Sequence, residues 1–237
     1  MANIPVRIAI IGNGKMGQAV ARLAEHRGHS IHATIGSAEN PNGRGLTPDR
    51  LAGADVAVEF TRPDAAPANL ECLIAAGIPT VTGTTGWADQ LPRIAKLVAE
   101  RNGALLHAAN FSLGVHLFLR AARELARGFA GRPEFDAFIL EEHHAAKVDA
   151  PSGTARELQA RVREGDPVRP YPITSVRVGT TPGTHLVAYD GPYERVTLVH
   201  EARSREGFAA GALAAAEWLP GHPGVHTVED MLFGAGR

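Results

Sequence analysis

The chain has 237 residues, with 24 basic against 25 acidic side chains and a single cysteine, Cys72, which excludes an internal disulfide. The balanced charge excludes a global attraction to nucleic acid or to an anionic membrane, and no apolar run approaches the roughly 20 residues of a spanning helix. The length allows one large or two modest domains, and the N-terminus carries no signal-peptide pattern, so we expect a cytoplasmic protein whose partners are small molecules or proteins.

The first hundred residues alternate short apolar runs with amphipathic stretches of helical length. The apolar runs are 6–11, 30–35, 55–60, 78–82 and 104–108, and the predicted helices cover about 15–27, 64–76 and 89–102. Continuous apolar strands separated by helices are typical of a parallel sheet covered on both faces. We therefore predict a doubly wound, Rossmann-type α/β domain over residues 1–110.

A glycine-rich loop follows the first apolar run and opens the first predicted helix. Its pattern is G-x-G-x-x-G, formed by Gly12, Asn13, Gly14, Lys15, Met16 and Gly17. Between a strand and a helix, such glycines allow a tight turn and the close approach of a pyrophosphate to backbone N–H groups at the positive end of the helix. The loop predicts dinucleotide binding.

The end of the second apolar run bears on the choice of dinucleotide. The acidic residue that usually binds the adenosine ribose about 20 residues after the glycine loop is absent, and Gly36 and Ser37 stand there instead. With Lys15 and Arg44 nearby, this small polar pair leaves room for a 2′-phosphate. The pattern favours NADPH, while NADH stays compatible with it.

Two later loops follow strands of the same predicted sheet, at the edge where open sheets bind ligands. Their hydroxyl and carboxamide groups suit contacts with ribose, pyrophosphate or nicotinamide, although turn chemistry alone also explains them. The candidate cofactor residues are Gly83, Thr84 and Thr85 in one loop and Ala108, Ala109, Asn110 and Phe111 in the other.

From about Phe135 the strand-like runs become alternating. They are FDAFILEE, TSVRVG, THLVAYDG and ERVTLVHEA, and Gly or Pro separates the later ones. Alternation with short turns predicts a largely antiparallel sheet in a second, α+β domain over residues 111–206. The Ala-rich stretch 208–219 predicts a helix, and residues 207–237 are expected to complete the first domain.

A dense polar segment, EEHHAAKVDAPSGTA at 141–155, follows the first of these runs. Adjacent side chains of a strand point to opposite faces, so His143 and His144 cannot share one task if the strand continues through them. Imidazoles and a lysine suit proton transfer near neutral pH, which makes His143 and Lys147 candidates for that chemistry. A solvated loop is the alternative interpretation.

The end of this segment predicts a helix start. Thr154 and Glu157 have the S/T-x-x-E spacing of a capping box, with Ser152 and Gly153 just before it. Free N–H groups at a helix start bind carboxylates, so Ser152, Gly153 and Thr154 are candidate substrate ligands. Zinc at Glu141, His143 and His144 is disfavoured because adjacent histidines lack the i, i+4 spacing of H-E-x-x-H, and no metal site is predicted.

Together these segments resemble the dihydrodipicolinate reductase (4-hydroxy-tetrahydrodipicolinate reductase) family over almost the whole chain. The family signature E-x-H-H-x-x-K-x-D-x-P-S-G-T-A is matched at every specified position by residues 141–155. The other similar stretches are GNGKMG, EFTRP at 59–63, GTTGW at 83–87, AANFSLGVHLF at 108–118 and HEARSREGFAAGALAAAEWL at 200–219.

The resemblance implies hydride transfer from NAD(P)H to a cyclic unsaturated dicarboxylate derived from 4-hydroxy-tetrahydrodipicolinate, in lysine and diaminopimelate biosynthesis. It implies that His143 and Lys147 are the proton-transfer pair, that His144 binds substrate, and that Gly153 and Thr154 bind a substrate carboxylate. Residues 12–17, 83–85 and 108–111 match the family's cofactor segments. A homotetramer built through the sheet of the second domain is the expected assembly.

Two other functions stay open on the residues alone. One is a nicotinamide-dependent reductase of a related imine or enamine acid, and the other is a dinucleotide-sensing protein without catalysis. A sensor gives no reason for His143, His144 and Lys147 to coincide with a carboxylate site. Aspartate-semialdehyde dehydrogenase chemistry needs a cysteine nucleophile, and Cys72 lies within a predicted helix, where a small hydrophobic role is expected.

Overall fold

The computed structural model describes residues 4–234, which form two compact units. Of the described residues, 4–112 and 206–234 form the first unit, and 113–205 form the second. Within the described residues, no helix has the length and apolarity needed to cross a bilayer.

The first unit is built on a six-stranded sheet whose strand pairs are all parallel. Its strands lie in the order β10-β5-β4-β3-β1-β2. Their bounds are β1 Arg7–Ile11, β2 Ser30–Ile35, β3 Val56–Glu59, β4 Thr80–Thr82, β5 Ala104–His107 and β10 Gly224–His226. The helices are α1 Lys15–His26, α2 Pro48–Leu51, α3 Ala66–Ala75, α4 Leu91–Glu100, α7 Glu206–Trp218 and α8 Val228–Phe233, with 3-10 turns at Pro41–Gly43 and Ala88–Gln90.

The central strands of this sheet are apolar along their length because helices cover both faces. In β1, Ile11 packs in one core cluster with Leu73 of α3. Its neighbour Ile10 points the other way and lies beside Gly17 of α1. Cys72 is half-buried against the cluster that contains Ile11 and Leu73, and it lies within α3 as predicted. The parallel, doubly wound sheet predicted from the apolar runs is confirmed.

The segment after residue 206 returns to the first unit. The Ala-rich helix α7 packs against α1, β3 and β4, and its small side chains allow close packing, with Ala212 and Ala216 fully buried. Strand β10 then pairs with β5 at the end of the sheet. The helix was expected from composition, whereas a strand of three residues, Gly-Val-His, gave no periodic signal.

The second unit packs two helices against a four-stranded sheet in the order β7-β6-β8-β9. The elements are α5 Leu113–Phe129, β6 Asp136–His143, α6 Gly153–Gly165, β7 Ile173–Arg177, β8 Thr184–Asp190 and β9 Arg195–Glu201. Strand β8 is antiparallel to both neighbours, and β7 is parallel to β6. The sheet is therefore mixed, and mainly antiparallel as predicted.

The start of α6 corrects one prediction. Thr154 is not the N-cap of a capping box with Glu157, because the helix already begins at Gly153. Ser152 is the N-cap, with an extended backbone and an Oγ that accepts a hydrogen bond from Ala155 N at 3.2 Å. Two hydroxyl residues flank one glycine here, and the backbone turns helical two residues earlier than the Thr-x-x-Glu spacing indicated.

Candidate active site

The glycine loop joins β1 to α1 as predicted. Gly12 has a φ of 103°, which favours glycine, and a Cβ at this position would clash with Phe60 O. A Cβ on Gly17 would clash with Gly12 O, so α1 can lie against the loop only if residue 17 is glycine. Gly14, the N-cap of α1, has open space beside it and leaves the first turn without a side-chain cap. The arrangement suits a phosphate at the helix start.

A buried carboxylate organises the neighbouring loops of the first unit. Glu59 at the end of β3 has no exposed surface, and it accepts hydrogen bonds from Thr61 Oγ1 and, at 2.5 Å, from Thr82 Oγ1. Thr61 N in turn donates to Thr84 Oγ1 at 2.8 Å. Glu59 thus ties the loop after β3 to the loop after β4.

The loops after β4 and β5 line a cleft of about 140 Å³ at the carboxyl edge of the sheet. Thr84, Thr85, Ala108 and Ala109 meet there, beside Trp87 and His107. Burial lowers the pKa of His107 against the opposing charge of Asp230. The remaining candidates of the β5 loop turn elsewhere: Asn110 Oδ1 accepts from Ser112 N at 2.8 Å, and Phe111 is buried against the Phe60 ring.

The loop after β2 contains an acidic group that sequence spacing missed. Glu39 Oε2 accepts a hydrogen bond from Gly36 N at 3.3 Å, which brings a carboxylate to the end of β2 from three residues downstream. Arg50 lies 3.6 Å from the same oxygen. Asn40 anchors the loop, since its buried side chain donates to Asn69 Oδ1 and accepts from Gly45 N.

In the second unit, β6 continues to His143, so its side chains alternate between the two faces of the sheet. Glu141 and His143 are buried, while Glu142 between them and His144 after them are half-buried. The two histidines therefore have different surroundings, although the strand ends at His143 and does not continue through His144.

Glu141 is the most constrained group of this cluster. Arg177 Nη2 donates to its Oε1 at 2.6 Å, and Ser152 N donates to the same oxygen at 3.2 Å. Burial raises the pKa of this carboxyl, but hydrogen bonding from Ser152, Arg177 and Ser175 outweighs burial and brings the pKa to about 2. Glu141 is consequently ionised at neutral pH.

The other oxygen of Glu141 faces two imidazoles. His143 Nδ1 lies 2.8 Å from Oε2, although not aligned as a hydrogen bond, and His185 Nε2 lies 3.9 Å away. Burial lowers the pKa of His143, with Glu141 opposing the shift, and lowers that of His185 to about 4. His185 Nε2 is instead 3.1 Å from Ser152 Oγ.

The remaining candidates lie in the segment after β6. Lys147 Nζ is 2.7 Å from Asp149 Oδ1, and about a quarter of the lysine side chain is exposed. At the start of α6, Gly153 is exposed and Thr154 half-buried, so both are accessible to a ligand. Ser152 is buried, and its hydroxyl contacts Ala155 N and His185.

The metal alternative takes a different form in the structure. Glu141, His143 and His185 place possible ligand atoms within 4.8 Å of one another, whereas His144 is not in this group. Arg177 already contributes a positive charge 2.6 Å from the carboxylate. The His185 nitrogen that faces Glu141, Nε2, is within hydrogen-bonding distance of Ser152 Oγ. Charge and hydrogen bonding both favour a hydrogen-bonded cluster of side chains over a metal-binding site.

Sequence reasoning missed Arg177, Gly183 and His185, which contact or adjoin His143 and Glu141. Gly183 lies so close that a Cβ there would be 2.9 Å from His143 Nε2. Arg177 and His185 stand in separate strands 36 and 44 residues after Glu141, and a lone Arg or His in an alternating strand normally indicates a solvated face. The one available signal is the compact run R-V-G-T-T-P-G-T-H that joins β7 to β8.

A glycine loop at the start of a parallel sheet, and a second unit with a buried Glu-His cluster beside a lysine, define the class of two-unit nicotinamide-dependent reductases. Two family profiles match the chain, described as "Dihydrodipicolinate reductase, N-terminus" over residues 6–111 and "Dihydrodipicolinate reductase, C-terminus" over residues 114–232. The chain belongs to the dihydrodipicolinate reductase family. It is an NAD(P)H-dependent oxidoreductase of lysine and diaminopimelate biosynthesis.

Individual relatives agree with this assignment. The 4-hydroxy-tetrahydrodipicolinate reductase of Stenotrophomonas maltophilia strain R551-3 is 38% identical over 244 residues, covering 98% of this chain and 100% of the relative. The protein of the same name from Christiangramia forsetii is 33% identical over 238 residues, covering 96% and 98%. A solved dipicolinate-bound dihydrodipicolinate reductase from Paenisporosarcina sp. TG-14 shares the fold, with a TM-score of 0.74 at 22% identity over 97% of this chain and 100% of that one.

We predict that Gly17→Ala weakens dinucleotide binding at least about tenfold, because the added methyl group pushes α1 away from the glycine loop. Titration of NADH fluorescence measures the dissociation constant. Gly207→Ala is the matched control, since a Cβ there meets open space, and it should bind as the unsubstituted chain does. Equal affinities for both variants would contradict the assignment of this loop.

Proposed function

We propose that the chain reduces 4-hydroxy-tetrahydrodipicolinate with NAD(P)H, giving tetrahydrodipicolinate, water and NAD(P)⁺. The reaction consumes one hydride, from the nicotinamide, and one proton. One observation carries the proposal. The chain contains both a dinucleotide loop and a proton-transfer cluster at residues 141–154, and its relatives are named 4-hydroxy-tetrahydrodipicolinate reductase.

Proton transfer is assigned to Lys147 and His143. Hydride addition to a conjugated ring leaves electron density on a neighbouring carbon, which must then be protonated. Lys147, whose side chain is about a quarter exposed, is the donor to that carbon, and Asp149 orients it through the 2.7 Å contact. His143 is its partner in proton transfer.

Substrate binding is assigned to the start of α6 and to His144. Gly153, which is exposed, and Thr154, which is half-buried, stand in the first helical turn, and backbone N–H groups at a helix start suit a carboxylate. Ser152 contributes through its place at the N-cap. His144 follows the last residue of β6 and is half-buried, within reach of a ligand at the end of the strand.

The cofactor is assigned to the glycine loop, Gly12–Gly17, and to the loops at 83–85 and 108–111. The sequence favoured NADPH because an acidic residue was missing at the end of β2, but Glu39 supplies a carboxylate there. A carboxylate accepts a hydrogen bond from a ribose 2′-hydroxyl and repels a 2′-phosphate, while Arg50 and the exposed Arg44 offset that repulsion. We propose dual use of NADH and NADPH, with Glu39 as the group that sets the ratio.

A homotetramer is also proposed, through the face of the second sheet that α5 and α6 leave uncovered. Phe138, Leu140, Leu186 and Val199 follow one another across β6, β8 and β9 on the face opposite Glu141, and Val199 is half exposed. Such a face favours burial between subunits. Sedimentation velocity should give four times the chain mass, and Leu140→Glu should lower that mass.

The reaction is tested by following the absorbance of NADH and of NADPH at 340 nm, with substrate generated from pyruvate and aspartate semialdehyde by the condensing synthase. Rapid oxidation that depends on the chain is expected with both cofactors. Cofactor oxidation with another imine acid, but not with this substrate, would favour the related-reductase alternative. Dinucleotide binding without oxidation of any such substrate would favour the sensor.

We predict that Lys147→Ala lowers kcat by about 10²–10⁴-fold, because the proton donor is lost, while the dissociation constant for NADH changes less than about twofold. Steady-state kinetics and NADH fluorescence measure the two quantities. Lys96→Ala is the control, since this lysine is exposed on α4 and pairs only weakly with Glu100. A Lys147→Ala enzyme with near-normal kcat would remove this lysine from the mechanism.

We predict that Glu39→Gln raises the ratio of kcat/KM for NADPH over NADH by about tenfold, because repulsion of the 2′-phosphate is relieved. Glu25→Gln, which neutralises an exposed glutamate of α1, should leave the ratio unchanged. An unchanged ratio in Glu39→Gln would show that this carboxylate does not contact the adenosine ribose.

A further inference from the structure

Glu141 holds its two oxygens in different surroundings. Oε1 receives Arg177 Nη2 at 2.6 Å and Ser152 N at 3.2 Å, which fixes the carboxylate against β7 and the start of α6. Oε2 points to His143 Nδ1 at 2.8 Å. Among the described residues, neither Oε2 nor His143 Nδ1 has a well-aligned hydrogen-bond partner. A fully buried carboxylate oxygen requires a donor, and this nitrogen is adjacent to it.

We infer that Glu141 is a positioning residue: its Oε2 accepts a hydrogen bond from His143 Nδ1–H, which fixes the neutral imidazole in the Nδ1–H tautomer and leaves the lone pair on Nε2 for proton transfer. A small rotation of the ring aligns the bond across the 2.8 Å separation. The tautomer follows from the cluster alone, and the use of Nε2 in catalysis rests on the proposed function.

His185 does not compete for the oxygen. Its Nε2 is 3.9 Å from Oε2, too far for a hydrogen bond, and is 3.1 Å from Ser152 Oγ. Burial keeps this imidazole neutral at neutral pH, with its pKa near 4. His185 therefore fills space beside His143, their ring centroids 5.0 Å apart, without adding a charge.

Gly183 adds no side chain at the Nε2 edge of the His143 ring. A Cβ at residue 183 would lie 2.9 Å from Nε2, where a reacting atom has to approach. When Nε2 takes a proton, the resulting imidazolium has the Glu141 carboxylate beside it, which stabilises the charge against Arg177 and Lys147. Asp149, paired with Lys147, moderates the field of that lysine. One glutamate thus sets both the orientation and the proton affinity of the histidine.

The tautomer is measured directly by ¹⁵N NMR of the full chain with labelled histidine, the His143 signals being assigned by their loss in His143→Gln. A protonated, pyrrole-like Nδ1 and an unprotonated, pyridine-like Nε2 are expected at a pH where the ring is neutral. A protonated Nε2 in the neutral ring would overturn the inference. This readout needs no substrate, so it stands or fails separately from the proposed reaction.

Kinetics test the catalytic consequence with a matched pair of variants. Glu141→Gln should lower kcat by about 10²-fold or more, with KM for substrate and NADH changed less than about threefold, and should populate the Nε2–H tautomer. Glu142→Gln changes the next residue on the opposite face, which accepts from Thr181 Oγ1 at 2.9 Å, and should match the unsubstituted enzyme. An unchanged kcat in folded Glu141→Gln would refute the inference. If this variant fails to fold, the tautomer of His143 in the unsubstituted chain tests the inference instead.

Discussion

The second unit is organised around one buried ionised carboxylate. Glu141 has no exposed surface, so its charge must be balanced within the protein, and Arg177, Ser152 and His143 do so from three different elements. The arginine requires β7 to lie beside β6 in parallel register, with Glu141 opposite Ser175. The contact with Ser152 N brings the start of α6 to the same point. Loss of the carboxylate would leave the half-buried Arg177 without its anionic partner, so the cluster favours one arrangement of these elements over looser packings of the same apolar residues.

The first unit repeats this design at the end of β3. Glu59 is equally buried, but hydroxyl and amide groups surround it instead of a cation, from Thr61, Thr82 and, at 3.5 Å, Asn69. Through Asn69 and Asn40 the hydrogen bonds extend to the loop after β2. The loops that follow β2, β3 and β4 are therefore linked by polar contacts below the surface. If they form the proposed cofactor site, these contacts order it before a ligand arrives and reduce the entropy lost on binding.

Regular patterns in the sequence predicted the sheets and the glycine loop because these depend on local chemistry. Apolar runs, alternating runs and the G-x-G-x-x-G spacing each fix a local conformation. The same reasoning could not find α5, whose residues 113–129 follow the family-like stretch AANFS without a break, or the parallel placement of β7, which depends on a partner strand distant in sequence. It also missed the polar partners of Glu141 and the approach of Glu39 to β2, since single side chains 3 to 44 residues away carry no periodicity.

The first unit consists of two segments separated in the chain by the whole second unit, and this has a consequence for biosynthesis. When residue 112 leaves the ribosome, β5 is an open edge strand, because β10 that pairs with it lies more than a hundred residues further along. The face that α7 covers is exposed for the same interval. A nascent chain therefore carries an unfinished sheet while the second unit is being synthesised, and this interval is when aggregation or chaperone capture is most probable. The sheet of the first unit is completed only after β10 has been translated.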